Sequence, residues 1–400
     1  MDADTPDGRG KGLPNQAKAV YTLHMKEKRP IWFSVGEASG DLHGAELMKH
    51  LRALDPEVTF TGMGGPAMRA EGFEERHDMR LISLVGVTEI LGGLPRILRL
   101  LRTIKKELAE IRPRAVVLVD CPEFNFRIAK AAKKLGIPVY YYISPQIWAW
   151  RSGRVKFLRE HVRRVICILP FEKDFYAKAG MDVDYVGHPL MDVLPLERLD
   201  MQPVDDNLIG ILPGSRSREI STLLPLFAQT AKLLRKRHPD LRCVMVCAPG
   251  RDVGKLEAMW PDDVPVECIE PTTRYETFHA CKLILAASGT VTLETALIGT
   301  PALVAYKVSK LSEFIGRLLI KVKFISLPNL IAGREVYPEF VQERATPEVL
   351  AETAAAWLDD PARDKAIRGD LAGLRSQVGA PGAARRAASI ILDDLARLGA

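Results

Sequence analysis

Twice along its length this chain runs through the same alternation of short apolar segments and amphipathic stretches. That repetition limits its fold more than any single motif does. In the first series, residues 29–35 (RPIWFSV) read as a strand, followed by a small-residue loop and a helix from about Leu42. Residues 58–62 read as a short strand. Residues 94–111 read as a helix with an apolar stripe at Ile97, Leu101, Ile104, Leu108 and Ile111. Residues 115–120 (AVVLVD) form a continuous apolar run closed by a carboxylate, the pattern of a strand buried on both faces. A helix over 126–135 and strands at 139–143, 165–169 and 183–186 follow. Residues 189–204 hold three prolines among charged residues and no long periodic pattern, which marks a linker. The alternation then restarts. Strands are expected at 208–212, 243–248, 266–269, 283–287 and 301–306, and helices over 220–237 and from Thr292. Residues 346–400 are Ala-rich and read as helical. Two such series predict an α/β protein of two doubly wound, Rossmann-like domains. Ligands in such sheets sit beyond the carboxyl ends of the strands, so the expected site is a central cleft that the two domains face.

The expected organisation is a disordered tail at 1–28, a first domain at 29–190, a linker at 191–206, a second domain at 207–370 and a helical segment at 371–400. The length of 400 residues exceeds one ordinary core. Residues 1–28 are polar and lack the apolar stretch of a signal peptide, and Met25 is an alternative start. With 47% hydrophobic and 26% charged residues the composition is that of a globular protein, and no apolar run reaches the roughly 18 residues of a membrane-spanning helix. The six cysteines include no CxxC pair, so buried thiols are favoured over a metal site. A net charge of +6 over this length does not indicate nucleic-acid binding.

Six motifs fall at expected strand ends or in loops. Residues 34–41 (SVGEASGD) place Glu37, Ser39 and Gly40 in a turn where Ser39 or Asp41 can cap the next helix. This is not the dinucleotide pattern GxGxxG. Residues 120–125 (DCPEFN) put Asp120 where α/β enzymes place catalytic groups. A desolvated carboxylate there suits a general base, and the bland alternative is a helix cap. Residues 143–151 (ISPQIWAWR) set Gln146 and Trp148 in a loop whose aromatic faces suit a sugar or an acyl chain, or simply cover the sheet. Residues 212–219 (LPGSRSRE) combine Gly214 and Ser215 in a turn with the fork of Arg216, a plausible pyrophosphate clamp without the GKS/T ending of a P-loop. Residues 286–294 (AASGTVTLE) repeat that logic with Ser288, Gly289 and Thr290, and Glu294 lies about one helical turn further on. Residues 324–335 (FISLPNLIAGRE) bring Asn329, with Gln342 following. Two phosphate-type turns in one half point to a single nucleoside diphosphate.

Together these segments resemble one family. GEASGD at 36–41, GMGGPAM at 62–68, VGVTEIL at 85–91, SPQIWAWR at 144–151, LPFEKDFY at 169–176, VGHPL at 186–190, LPGSR at 212–216, ASGTVTLE at 287–294 and SLPNLIAGRE at 326–335 look like the lipid-A-disaccharide synthases, which have the GT-B architecture. The resemblance covers roughly residues 30–390, in order. It implies an inverting transfer from UDP-2,3-diacylglucosamine to 2,3-diacylglucosamine 1-phosphate (lipid X), giving a β-1,6-linked disaccharide 1-phosphate and UDP. No metal or other cofactor is implied. By the same resemblance Asp120 is the catalytic base. Glu37, Ser39, Gly40, Asn125, Gln146 and Trp148 are assigned to substrate, and Gly214, Ser215, Arg216, Ser288, Gly289, Thr290, Glu294, Asn329 and Gln342 to UDP. It also implies a homo-oligomer in the cytoplasm, peripheral on the inner face of the cytoplasmic membrane.

Two basic amphipathic stretches suit an anionic surface: 94–112, with Arg96, Arg99, Arg102, Lys105 and Lys106, and 307–324, with Lys310, Arg317, Lys321 and Lys323. The competing readings are another UDP-sugar enzyme on the same architecture, such as a UDP-sugar 2-epimerase or a peptidoglycan glycosyltransferase, and a non-catalytic nucleotide- or lipid-binding module at a membrane. A nicotinamide oxidoreductase is disfavoured by the missing glycine fingerprint.

Overall fold

β-Branched and aromatic residues concentrate in short runs separated by glycine, proline and charged segments, and these runs become the strands of two sheets. The structure, a computed structural model, describes residues 29–83, 90–150, 152–248, 251–261, 263–308 and 322–399. The expected tail at 1–28, most of the basic stretch at 307–324, Arg151 and part of the VGVTEIL segment lie outside these residues.

The first sheet contains β1 (Ile31–Ser34), β2 (Phe60–Gly64), β3 (Glu74–Asp78), β4 (Ala115–Val119), β5 (Val139–Tyr142), β6 (Arg164–Cys167) and β7 (Asp184–Tyr185), in the order β3-β2-β1-β4-β5-β6-β7. The second contains β8 (Asp205–Leu212), β9 (Arg242–Val246), β10 (Val266–Ile269), β11 (Cys281–Ala287), β12 (Ala302–Tyr306) and β13 (Glu339–Val341), in the order β10-β9-β8-β11-β12-β13. The strand pairs run parallel from β3 through β6 and across the whole second sheet.

The order has one property that matters for function. In each sheet the chain builds outward from the first strand, then returns to its other side, so the first and fourth strands are neighbours. This is the topological switch point of a doubly wound sheet, where a crevice opens beyond the strand ends. Ser34 pairs with Leu118 in the first sheet and Leu212 with Ala286 in the second. The segments after β1 and β4 therefore leave their sheet side by side, as do those after β8 and β11.

The helices used below are α1 (Ala38–Leu54), α2 (Ile90–Ile111), α3 (Pro122–Lys134), α4 (Pro170–Lys178), α5 (Ser217–Arg237), α6 (Thr290–Ile298), α7 (Leu327–Ala332), α8 (Pro347–Leu358), α9 (Pro361–Val378) and α10 (Ala383–Arg397). In α2, Leu101, Ile104 and Leu108 are buried, while Arg96, Arg99, Arg102, Lys105 and Lys106 lie on its exposed side. All five residues of β4 are fully buried, as are Ile31, Trp32 and Phe33 of β1. Each large apolar side chain so removed from water stabilises the fold by about 1.5–3 kcal/mol before the entropy of ordering is counted.

Contacts divide the chain into two compact units. One is Met1–Pro145, Lys156–Ile166 and Ala384–Ala400, and the other is Gln146–Val155 and Cys167–Ala383. In the first unit, α10 is held by its Asp394 carboxylate, which is 5% exposed. Tyr140 of β5 donates its hydroxyl to Asp394 Oδ2 at 2.7 Å, and Arg163 donates through Nη2 to Oδ1 at 2.8 Å and through Nε to Oδ2.

Candidate active site

In the first sheet the switch point lies between β1 and β4, and Asp120 is the first residue beyond β4. It has φ +45° and Cys121 follows with φ +47°, two consecutive left-handed residues without glycine. Such residues cost roughly 1–2 kcal/mol each, and the surroundings must hold them. Asn125 in α3 does so. Its Nδ2 donates to the carbonyls of Asp120 (2.8 Å), Val119 (3.2 Å) and Ser34 (3.3 Å), and its Oδ1 accepts from Ser34 Oγ (2.7 Å). Tyr141 of β5 adds its hydroxyl to the Asp120 carbonyl at 2.6 Å. These bonds brace the left-handed turn through its backbone and make no use of the Asp120 carboxyl group. Burial, then the negative charge of Glu37, pushes that carboxyl up to about 6, against the pull of the Cys121 N–H.

The turn after β1 is close to this group. A side chain at Gly36 would place Cβ 2.6 Å from Cys121 Sγ, so only glycine lets the two loops approach. The helix begins at Ala38, earlier than expected, and its N-cap Glu37 makes no side-chain cap. Asp41 caps a different segment. It accepts from Gly65 N (3.0 Å) and Met68 N (3.1 Å) at Oδ1 and from Ala67 N (2.8 Å) at Oδ2. That satisfies the GMGGPAM turn after β2 rather than the start of α1. Glu37 and Ser39 are exposed and Gly40 is buried.

Within SPQIWAWR, Ser144 and Pro145 fall in the first unit and Gln146–Trp150 in the second. Trp148 is held edge-on by Phe171 (centroids 4.9 Å apart) and donates Nε1 to Glu172 Oε1 at 3.2 Å. Glu172, 1% exposed, accepts from Ile168 N and Leu169 N at the start of α4. The LPFEKDFY segment thus fixes the tryptophan, while Gln146 is exposed.

In the second sheet the switch point lies between β8 and β11. Gly214 has φ +108°, and a Cβ there would sit 2.7 Å from Glu219 Oε2. Glu219 Oε2 accepts from Ser215 N (3.2 Å) and Arg216 N (3.3 Å), and Oε1 accepts from Arg216 Nη1 (3.0 Å). The two amides and the guanidinium thus meet the helix's own carboxylate, a capping box at the start of α5. Across the switch, Gly289 precedes α6, and a Cβ at Gly289 would meet nothing within 4 Å, so the approach to this helix start is open. Ser288 Oγ donates to Ile325 O at 3.2 Å and Thr292 Oγ1 to Gly289 O at 2.8 Å. Glu294 pairs with Arg274 (Nε to Oε2, 3.6 Å), and burial raises its carboxyl against that cation.

Asn329 and Gln342 are engaged inside the chain. Asn329 Nδ2 donates to Tyr337 O (2.7 Å) and Glu339 Oε1 (2.8 Å), and its Oδ1 accepts from Val336 N (2.7 Å) and Tyr337 N (2.9 Å). With two donors and two acceptors used, this amide shapes the SLPNLIAGRE loop. Gln342, at φ +54°, brackets Val308 through Oε1 to its N–H (2.8 Å) and Nε2 to its carbonyl (3.2 Å). Tyr141, Glu172, Arg274 and Glu339 carry no signal of their roles in the sequence, because only the fold brings Asp120, Trp148, Glu294 and Asn329 to them. Glu219 was within reach as the N3 member of a capping box.

Two parallel, doubly wound sheets with paired strand-end loops at both switch points give the chain the GT-B type of architecture. Solved structures agree. UDP-GlcNAc 2-epimerase from Neisseria meningitidis bound to UDP-GlcNAc superposes with a TM-score of 0.61 at 15% identity, covering 91% of this chain and 100% of that one. CalG4, the calicheamicin glycosyltransferase, gives 0.60 at 15% identity, covering 93% and 100%. At such identities the likeness establishes the fold. The family is established by sequence. The family model of lipid-A-disaccharide synthetase matches residues 31–392. The lipid-A-disaccharide synthase of Myxococcus xanthus is 42% identical over 367 residues, 90% of this chain and 95% of that protein. The chain belongs to the lipid-A-disaccharide synthase family.

Proposed function

We propose that this glycosyltransferase condenses UDP-2,3-diacylglucosamine with 2,3-diacylglucosamine 1-phosphate, with Asp120 as general base. The observation that carries the assignment of Asp120 is its position at the switch-point end of β4, on a braced left-handed backbone, with a carboxyl group pushed up to about 6. A base in that range is ionised at neutral pH yet remains a competent proton acceptor. As the acceptor hydroxyl oxygen forms its bond to the anomeric carbon, Asp120 takes the hydroxyl proton. The bond from that carbon to the diphosphate oxygen breaks from the opposite face, so the configuration inverts and UDP leaves. Arg216 and the N-terminus of α6 offset the charge that develops on the diphosphate.

Glu37, Ser39, Gly40, Gln146 and Trp148 are assigned to the acylated substrates. Ser288, Gly289, Thr290 and Glu294 are assigned to UDP, and Asn125, Asn329 and Gln342 act by shaping the loops. Attachment to the inner face of the cytoplasmic membrane rests on the exposed basic side of α2. Assembly into a homo-oligomer rests on the family resemblance. Among the described residues no helix is long and apolar enough to cross a membrane.

The test is turnover by Asp120→Asn. The variant is expected to bind UDP as the parent does and to lose activity by roughly 10²–10⁴-fold. The parent is expected to release UDP only when both acylated glucosamines are present. Turnover by the variant within twofold of the parent would remove Asp120 from the mechanism.

A further inference from the structure

Arg216 is not an uncompensated cation. Its Nη1 lies 3.0 Å from Glu219 Oε1, so Arg216 is already paired with the chain's own carboxylate. A departing diphosphate needs more positive charge than one amide turn and one paired guanidinium supply.

The structure brings a second arginine to the same turn. Arg251 follows β9, the neighbour of β8 on the side away from the switch point. Its Nε donates to Ser215 O at 2.6 Å and its Nη1 to Ser217 Oγ at 3.2 Å. The guanidinium therefore spans the turn from its second residue to the first residue of α5. Among the described residues it has no carboxylate partner, and its remaining N–H groups have no acceptor. It is exposed, so these donors are open to a ligand. Its own neighbour Asp252 is engaged elsewhere, accepting from Lys255 N at 3.2 Å. The four charged side chains within or against this turn (Arg216, Arg218, Glu219 and Arg251) leave a net charge of about +2 when Arg251 is counted and about +1 when it is not. No spacing rule links Arg251 to the LPGSR segment. Only the adjacency of β8 and β9 joins them.

We propose that Arg251 is a second cation of the diphosphate subsite, holding the Ser215–Ser217 backbone in place and supplying the unpaired charge that Arg216 cannot. The proposal rests on the reading of this turn as the place where the donor's diphosphate binds. A guanidinium suits the task because two of its N–H groups can fix the loop while others face phosphate oxygens, which an ammonium cannot do simultaneously.

The experiment is calorimetric titration of UDP and of uridine into the full chain and into Arg251→Met, Arg251→Lys and Arg216→Met. Arg251→Met is expected to weaken UDP by roughly ten- to a hundredfold, the worth of a charge-assisted hydrogen bond. Uridine binding and the melting temperature should not change, because the side chain is exposed and acts on phosphate. Arg251→Lys should recover part of the loss and keep the salt sensitivity of UDP binding, which Arg251→Met should reduce. UDP binding by Arg251→Met equal to that of the parent overturns the proposal, as does an equal loss for UDP and uridine, which would mark a structural role. If Arg216→Met weakens UDP and Arg251→Met does not, Arg251 alone is misassigned. If the parent shows no affinity for UDP, the reading of the turn falls and this inference with it.

Discussion

Asp120 owes its properties to its neighbours more than to its chemical type. Burial and the Glu37 charge hold its carboxyl at about 6, well above the ordinary carboxylate value. With Asp120 as the proposed base its ionised form is the active one, and the rate should fall as pH drops through about 6. Glu37→Gln removes the second cause and should move that limb to lower pH, with the plateau rate reporting any separate loss of substrate contacts. A limb unchanged in Glu37→Gln would show that the glutamate charge does not reach the base. The linkage to stability has the opposite sense. A carboxyl raised in the folded state favours folding most when protonated, and that contribution fades as pH rises through the same value. Asp120 was legible in the sequence because an apolar run ending in an aspartate places the carboxylate at a strand terminus. The Asn125 brace was not, because Asn125 acts on the Ser34 carbonyl, 91 positions earlier. Asn329 shows the same limit: spacing gives a residue's place along the chain, while its four hydrogen bonds depend on how the loop folds back to Tyr337 and Glu339.

Among elements, the strands with apolar runs were legible to within a few residues, and two edge strands were not. β3 (EERHD) is half exposed and charged, and it pairs only with β2. A strand with one neighbour and one wet face has no need of an apolar run, and charge on an edge discourages pairing with other chains. β13 is three residues long and pairs only with β12. The helical reading of 346–400 resolved into α8, α9 and α10, but periodicity gave no sign that α10 closes the unit built around the first sheet. The Asp394 carboxylate works there beside the buried Ala387, Ala388, Ile391 and Leu395. Asp394→Ala leaves the Tyr140 hydroxyl buried without its acceptor and Arg163 without its partner. The expected cost is roughly 1–3 kcal/mol, measured by denaturant unfolding. The Arg163 hydrogen bonds, followed in effect by Tyr140, hold the Asp394 carboxyl below its ordinary value. Its contribution is therefore present above the unfolded-state pKa and is lost as pH falls through the folded one. A variant as stable as the parent at neutral pH would show that α10 is held by apolar packing alone.

At the scale of the whole molecule, the doubled α/β organisation was legible from the two βα series. The strand orders were not, because the return of the chain to the other side of its first strand leaves no local signal. Charge distribution also belongs to this scale. The basic side of α2 is exposed, with Leu98 40% exposed among its arginines. Basic residues near an anionic bilayer contribute about 1 kcal/mol each. Arg96→Glu, Arg99→Glu and Arg102→Glu together should lower binding to phosphatidylglycerol vesicles by at least a hundredfold without changing UDP affinity. Unchanged vesicle binding would remove α2 as the membrane contact. The membership of α10 has a consequence for biosynthesis. A ribosome releases β1 to β5 early, yet the helix that completes their unit is translated after every residue of the other unit. The nascent first half must wait, unfinished, until the other unit has been translated, and a stalled ribosome leaves it with an uncovered flank for chaperones to find.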